Sequence, residues 1–215
     1  MDKRYSPLQA AHLYTIQTRE RRMLGLLKGL RILDLHSMRI LEIGCGNGFW
    51  INEFIKWGAD PSNITGVDLD PKCLQTAKQN TPETVTLRCV DGSSLPDEAG
   101  SYDIVLQSTL FTSVLDSDTR TRIASEMTRV LDQDGCILWY DFHVNNPNNS
   151  SVRRVGRSEI HRMFPECHVS LQPITLAPPL ARLVAPWSLT LCHVLEAFRP
   201  LCTHYIGCIR KIPRQ

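Results

Sequence analysis

Between residues 39 and 142 short apolar segments alternate with stretches of helical pattern, and this alternation constrains the fold more than any other feature of the chain. Arg39-Ile40-Leu41-Glu42-Ile43 reads as a strand, Phe49 to Trp57 as a helix ending at Gly58, and Ile64 to Val67 as a second strand. Asp70-Pro71 pairs a capping side chain with proline at the first helical position, so a helix follows. Thr84 to Val90, Tyr102 to Leu106 and Cys136 to Tyr140 complete five strands, with a charged helix from about Ser117 to Leu131 before the last. Strands joined by helices imply right-handed crossovers and a parallel sheet. Ile104-Val105-Leu106 and Ile137-Leu138-Trp139 are apolar throughout, as strands covered on both faces are. Ligands of such open, doubly wound α/β sheets bind beyond the carboxyl ends of the strands, near the switch in strand order. Functional residues are therefore expected directly after strands.

Composition narrows the class. A length of 215 residues suits a single domain, and 42% hydrophobic with 21% charged residues argues against disorder. The net charge of +2 gives no overall surface for a polyanion, which counts against nucleic acid as a partner. The charge is uneven, however: residues 1–150 hold 15 basic against 19 acidic side chains, and residues 151–215 hold nine against three. An anionic partner belongs on the C-terminal third. The eight cysteines form no C-x-x-C pair and no zinc-finger spacing, and several sit inside apolar runs, so no metal site is expected. The first residues lack the apolar core of a signal peptide, and no apolar run is long enough to span a membrane. A cytoplasmic protein with reduced thiols is the expectation.

Glu42-Ile43-Gly44-Cys45-Gly46-Asn47-Gly48 follows the first strand and opens a helix. Alternate glycines leave no Cβ atoms in the turn, so backbone can approach a ligand. The dinucleotide pattern G-x-G-x-x-G fails, because Phe49 or Ile51 stands where its last glycine belongs. What remains, acidic-x-Gly-x-Gly-x-Gly, resembles the first motif of the class I S-adenosylmethionine-dependent methyltransferases. Thr65-Gly66-Val67-Asp68-Leu69-Asp70 ends the second strand with a carboxylate 24 residues beyond Gly44, able to accept from two vicinal ribose hydroxyls. Val90-Asp91-Gly92-Ser93-Ser94 is similar to that family's adenine-side loop, and Ser101 to Gln107 resembles its fourth strand. Arg129 to Gly135 resembles the turn before its fifth.

The resemblance implies a Rossmann-like fold with a seven-stranded, mostly parallel sheet whose last strand is antiparallel. It implies S-adenosylmethionine as cofactor and S-adenosylhomocysteine as product, with Glu42, Gly44, Cys45, Gly46, Gly48, Asp68, Leu69, Asp91, Gly92 and Gln107 as cofactor-binding residues. On this division residues 1–37 form an N-terminal helical cap closing over the cofactor, 38–142 the cofactor core and 143–215 an acceptor-side segment. Asp103 reads as a tether at its strand start.

The methyl acceptor is approached by elimination. Gln107-Ser108-Thr109-Leu110-Phe111 lacks the Asn/Asp-Pro-Pro-aromatic motif of many N-methyltransferases, and Asn145-Asn146-Pro147-Asn148 only superficially resembles it. Gln107 also denies a catechol-type metal site its first carboxylate. A hydroxyl on a small molecule, glycan or lipid is favoured. The alternatives are N-methylation of nucleic acid or protein, or a non-catalytic cofactor-binding partner protein.

His143, just beyond the fifth strand, is the candidate general base, with Asp141 to orient it or bind the acceptor. His193 and His204 are weaker candidates for the acceptor pocket. Arg153, Arg154 and Arg157 read as an anion site or a solvated face. At the start of the chain Ser6-Pro7 signals a helix to about Leu27. Towards the end Ser158 to Phe164 reads as a capped helix, and His168 to Ile174 and His204 to Ile209 as the last two strands. The apolar insertion 176–200 between them reads as an acceptor lid, a patch for peripheral membrane contact, or an extra packed helix. The sequence leaves oligomeric state open.

Overall fold

A computed structural model describes residues 6, 8–145 and 149–213. Seven strands form one sheet: β1 (Ile40–Ile43), β2 (Ile64–Asp68), β3 (Thr86–Cys89), β4 (Tyr102–Ser108), β5 (Leu131–Phe142), β6 (Cys167–Leu176) and β7 (Cys202–Lys211). Their order is β3-β2-β1-β4-β5-β7-β6, and β7 alone runs antiparallel to its neighbours β5 and β6. The sheet expected from the family resemblance is the sheet observed. Strand order reverses between β1 and β4, so the crevice for a ligand opens at their carboxyl ends.

The helices are α1 (Ala10–Gly29), α2 (Phe49–Lys56), α3 (Pro71–Asn80), α4 (Leu110–Ser113), α5 (Ser117–Val130), α6 (Arg157–Met163), α7 (Pro178–Val184) and α8 (Leu189–Ala197). Ile104, Val105, Leu106, Ile137, Leu138 and Trp139 are wholly buried, as their unbroken apolar runs require. One face packs Met23 and Leu27 of α1 with Trp50, Ile51 and Phe54 of α2. The opposite face packs Ile123, Ala124 and Met127 of α5 with Ile160 and Met163 of α6. Asp70 caps α3 by accepting from the Lys72 N–H at 2.9 Å, ahead of Pro71, as the sequence predicts. Asp103 accepts from the Arg39 backbone and guanidinium, tying the start of β4 to β1.

Two helix starts differ from expectation. α1 begins at Ala10, because Ser6 O and Oγ accept from the Gln9 and Leu8 N–H groups in a preceding turn; Pro7 lies outside the described residues. α6 begins at Arg157 behind Gly156, so Ser158 is not its cap. Glu159 there takes hydrogen bonds from Arg120 and Arg153. The insertion resolves into α7, α8 and a 3-10 turn at Arg199–Leu201. Its inner face buries Ala181, Ala185 and Cys192 against Tyr14 of α1, while Leu183, Trp187, Val194 and Phe198 are exposed. Among the described residues no helix is long and apolar enough to cross a membrane.

Candidate functional site

At the carboxyl end of β1 the Gly44 and Cys45 N–H groups both donate to Val67 O, at 2.8 and 3.0 Å, which turns the chain over β2. Gly46 adopts a φ of +54°, and a Cβ there would meet nothing within 4 Å, so this part of the turn presents bare backbone to open space. Its N–H donates to Asp68 Oδ2 at 2.8 Å, and Asp68 Oδ1 accepts from the Asp70 N–H at 2.9 Å. A carboxylate has about four acceptor sites, so two remain for ligand hydroxyls. Beyond β3, Asp91 forms a turn by accepting from the Ser93 N–H at 2.8 Å. A Cβ on Gly92 would lie 2.6 Å from Ile43 Cγ2, so only glycine lets this loop close against β1.

These loops enclose a cleft of about 520 Å³ lined by Gly44, Asp68, Leu69, Asp91, Gly92 and Leu110 among others. The dimensions, the open glycine face and the free acceptor sites of Asp68 fit a nucleoside-bearing cofactor. A larger hollow of about 610 Å³, beside Arg129, Gln133 and Lys211, lies at the amino ends of the strands, the wrong end of the sheet for a ligand site.

A second cavity of about 310 Å³ lies over β5 and β7 beneath α1 and α7. Thr109 lines both spaces. Its φ of +58° is strained for a β-branched residue, and it is held by its N–H donating to Tyr140 O at 2.8 Å. Thr175, on the far wall, has a φ of +67°. There the Thr175 N–H donates to Glu196 Oε1, and Tyr140 Oη lies 2.9 Å from its hydroxyl. Of the three described non-glycine residues with positive φ, two therefore border this cavity. Such strain, about 1–3 kcal/mol each, concentrates at functional sites.

His204 also lines the cavity, packed against Tyr140 and Phe142 with ring centroids 4.7 and 3.8 Å away. If Thr203 Oγ1 gives its hydrogen to Thr175 O, 3.3 Å away, the ring Nδ1–H is the donor in the 2.9 Å contact between Thr203 and His204. Nε2 then carries a lone pair. Burial, with the nearby Arg19 and His143 charges, pushes the imidazole down to about 3, so the ring is neutral across the physiological range.

The other expected residues are distributed as follows. Gly44, Asp68, Leu69, Asp91 and Gly92 line the cleft. Cys45 is buried beneath it with its sulfur beside Gly66, and Gly48 caps α2 with its α-carbon close to Thr81. Glu42 is buried under the turn, with desolvation holding its carboxyl well above the usual carboxylate range. Gln107 is buried too, and its Oε1 accepts from the Leu110 N–H at 3.3 Å.

His143 lines neither space: it stacks on Tyr205 at 4.2 Å, and burial lowers its imidazole. Asp141 does not orient it. That carboxylate is buried, accepting from Thr112 Oγ1 at 2.7 Å and from the Phe142 N–H at 2.8 Å, and so pins α4 to β5. Arg153 is bonded to Glu159 and Arg157 donates to Leu171 O, while Arg153 and Arg154 line a hollow of about 280 Å³ with Arg162, apart from both the cleft and the second cavity. Asn146, Pro147 and Asn148 lie outside the described residues. Among the described residues helix α1 contributes His12, Thr15 and Arg19 to the second cavity and no lining residue to the cleft. Thr109, Arg19, Tyr140 and Arg182 carry no sequence motif.

A family model described as "Methyltransferase domain" matches residues 40–135. The ubiquinone biosynthesis O-methyltransferase of Bordetella avium is 28% identical over 136 residues, 61% of this chain and 54% of that protein. The ribosomal protein L11 methyltransferase of Burkholderia thailandensis is 37% identical over 73 residues, 33% of this chain and 23% of that protein. The chain thus spans about half of the first relative's length and about a quarter of the second's. Among solved structures, geranyl diphosphate C-methyltransferase from Streptomyces coelicolor A3(2), crystallised with Mg2+, geranyl diphosphate and S-adenosyl-L-homocysteine, superposes with a TM-score of 0.68 at 13% identity. That superposition covers 91% of this chain and 77% of that one.

Proposed function

Residues 40–135 being a class I S-adenosylmethionine-dependent methyltransferase domain, we propose that the chain methylates a hydroxyl on a small-molecule or lipid-borne acceptor held in the second cavity. The observation that carries this reading is the junction at Thr109, where the nucleotide-sized cleft meets a separate cavity lined by aromatic rings and two imidazoles, His12 and His204. Asp68 holds the two ribose hydroxyls with its remaining acceptor sites, and the Asp91-Gly92 turn borders the adenine. The turn at Gly44 and Gly46 lets the rest of the cofactor lie against backbone.

Bound there, S-adenosylmethionine supplies a methyl group on a sulfonium sulfur, already activated for in-line displacement. The protein's share is alignment, exclusion of water and orientation of the acceptor's hydroxyl. Tyr140 and Phe142 exclude water from the cavity, and Thr109 fixes its boundary with the cleft. His204 accepts a hydrogen bond from the acceptor hydroxyl and orients its oxygen towards the methyl carbon, and the hydroxyl proton is lost to solvent as the oxygen gains that carbon. His143, on the opposite side of β5, has no part in the step.

Single-turnover transfer from labelled S-adenosylmethionine into pooled small-molecule and lipid extracts tests this. His204→Gln is expected to lose about tenfold or more in rate with S-adenosylhomocysteine affinity unchanged, as for a lost hydrogen bond that orients the acceptor. His143→Ala is expected to match the wild type. The reverse pattern, with a rate inflection near the ordinary imidazole pKa of about 6.5 that His143→Ala abolishes, overturns the assignment.

A further inference from the structure

The second cavity is charged on one side only. Arg19 from α1 and Arg182 from α7 both line it, and no aspartate or glutamate does so among the described residues. Among the described residues neither arginine has a carboxylate within salt-bridge distance, whereas Arg39, Arg88, Arg120, Arg129 and Arg153 all do. Arg19 is fixed in place: its guanidinium carbon lies 4.6 Å from the centroid of Phe49, 4.8 Å from Trp50 and 5.3 Å from Tyr140. Ring faces attract a cation without neutralising it. Arg19 Nε is buried with no hydrogen-bond partner, an expensive arrangement unless something completes it. Glu42, on β1, is buried, and desolvation holds its carboxyl well above the usual carboxylate range.

We propose that the cavity selects an acceptor bearing an oxyanion, a carboxylate or a phosphate, which Arg19 and Arg182 bind from opposite helices. The planar guanidinium fork matches both anions in bidentate geometry. A volume of about 310 Å³ exceeds that of the anionic group alone, so the group is one end of a larger molecule whose body rests on Tyr140 and Phe142. The anion fixes the acceptor's orientation and leaves its hydroxyl to face Thr109 and His204. This inference rests on the methyltransferase reading for what the bound molecule becomes, but the anion site itself is testable without turnover.

The test is a binding measurement on the full chain, with and without saturating S-adenosylhomocysteine, using benzoate and inorganic phosphate as probes and benzamide as the neutral match for benzoate. At least one anion is expected to bind saturably, and benzamide is expected not to. Arg182→Gln, an exposed position with no ion pair to break, and Arg19→Gln should each weaken that anion about tenfold or more, the usual loss for a hydrogen bond to a charged group. Arg182→Lys, which keeps the charge without the fork, should recover only part of that affinity. The proposal is overturned by benzamide binding as well as benzoate, by an absence of saturable anion binding, or by Arg182→Gln binding the anion as the wild type does. It is also overturned if Arg19→Gln weakens S-adenosylhomocysteine and spares the anion, which assigns that guanidinium to the cofactor's own carboxylate. Failure of the wild type to bind S-adenosylhomocysteine removes the methyltransferase reading instead, whatever the anions do.

Discussion

The carboxyl of Asp141 sits in the dry interior, and desolvation pushes it up to about 6 despite hydrogen bonds from Thr112 and the Phe142 N–H. An acid whose folded pKa is raised stabilises the fold fully below its unfolded value of about 3.9 and loses that contribution as pH rises through the folded value. Wild type should therefore lose about 2–3 kcal/mol between about pH 4 and pH 7 relative to Asp141→Asn, which keeps the shape without the charge. Denaturant melts of the two proteins across that range check it, and parallel pH profiles would refute it. The same residue shows what a single sequence conveys. The placement of Asp68, Asp91 and the glycine turn around one cleft was legible because it is local, set by strand ends and turn chemistry within a few residues. His143 was not, yet strand alternation holds the reason: Tyr140 and Phe142 face the cavity, so the next residue turns away to Tyr205. His204 reaches the cavity from β7, paired across the sheet with Phe142.

Elements were legible wherever one period dominated. The strands and the capped helices α3 and α5 fall within a few residues of their expected positions, because alternation and Asp caps are written in adjacent residues. The placement of α1 was not, because what anchors it is remote in sequence. The Tyr14 hydroxyl donates to Glu196 Oε2 at 3.0 Å, 182 positions away, and Glu196 Oε1 accepts from the strained Thr175 N–H. One buried carboxylate thus joins α1, α8 and the end of β6 around the cavity. Tyr14→Phe leaves an acceptor without its donor, which costs about 1–3 kcal/mol. Hydrogen exchange should rise in α1 and in residues 174–176 while β1 and β4 stay protected. A uniform rise across the sheet, or none, would contradict this role for Glu196.

Across the whole molecule the sheet divides its work. Loops after β1, β2 and β3 build the nucleotide-sized cleft, while β5, β7, α1 and α7 build the second cavity, and Thr109 after β4 stands between them. The first half follows a widely shared sequence pattern and was legible; the second depends on contacts between the two ends of the chain and carries no pattern. The excess of basic residues after residue 150 is put to mixed use. Arg153 and Arg157 brace the fold, and Arg182 alone of that group lines the cavity. The central claim is that Gly46, Asp68 and the Asp91 turn hold S-adenosylmethionine. Titration calorimetry with S-adenosylhomocysteine tests it most directly. The wild type should bind one equivalent, Asp68→Ala should lose about 1.5–3 kcal/mol of affinity, and Gly46→Val should lose binding with its far-ultraviolet circular dichroism near native. An unchanged affinity in Asp68→Ala, or tight binding of NAD in place of S-adenosylhomocysteine by the wild type, would contradict the account.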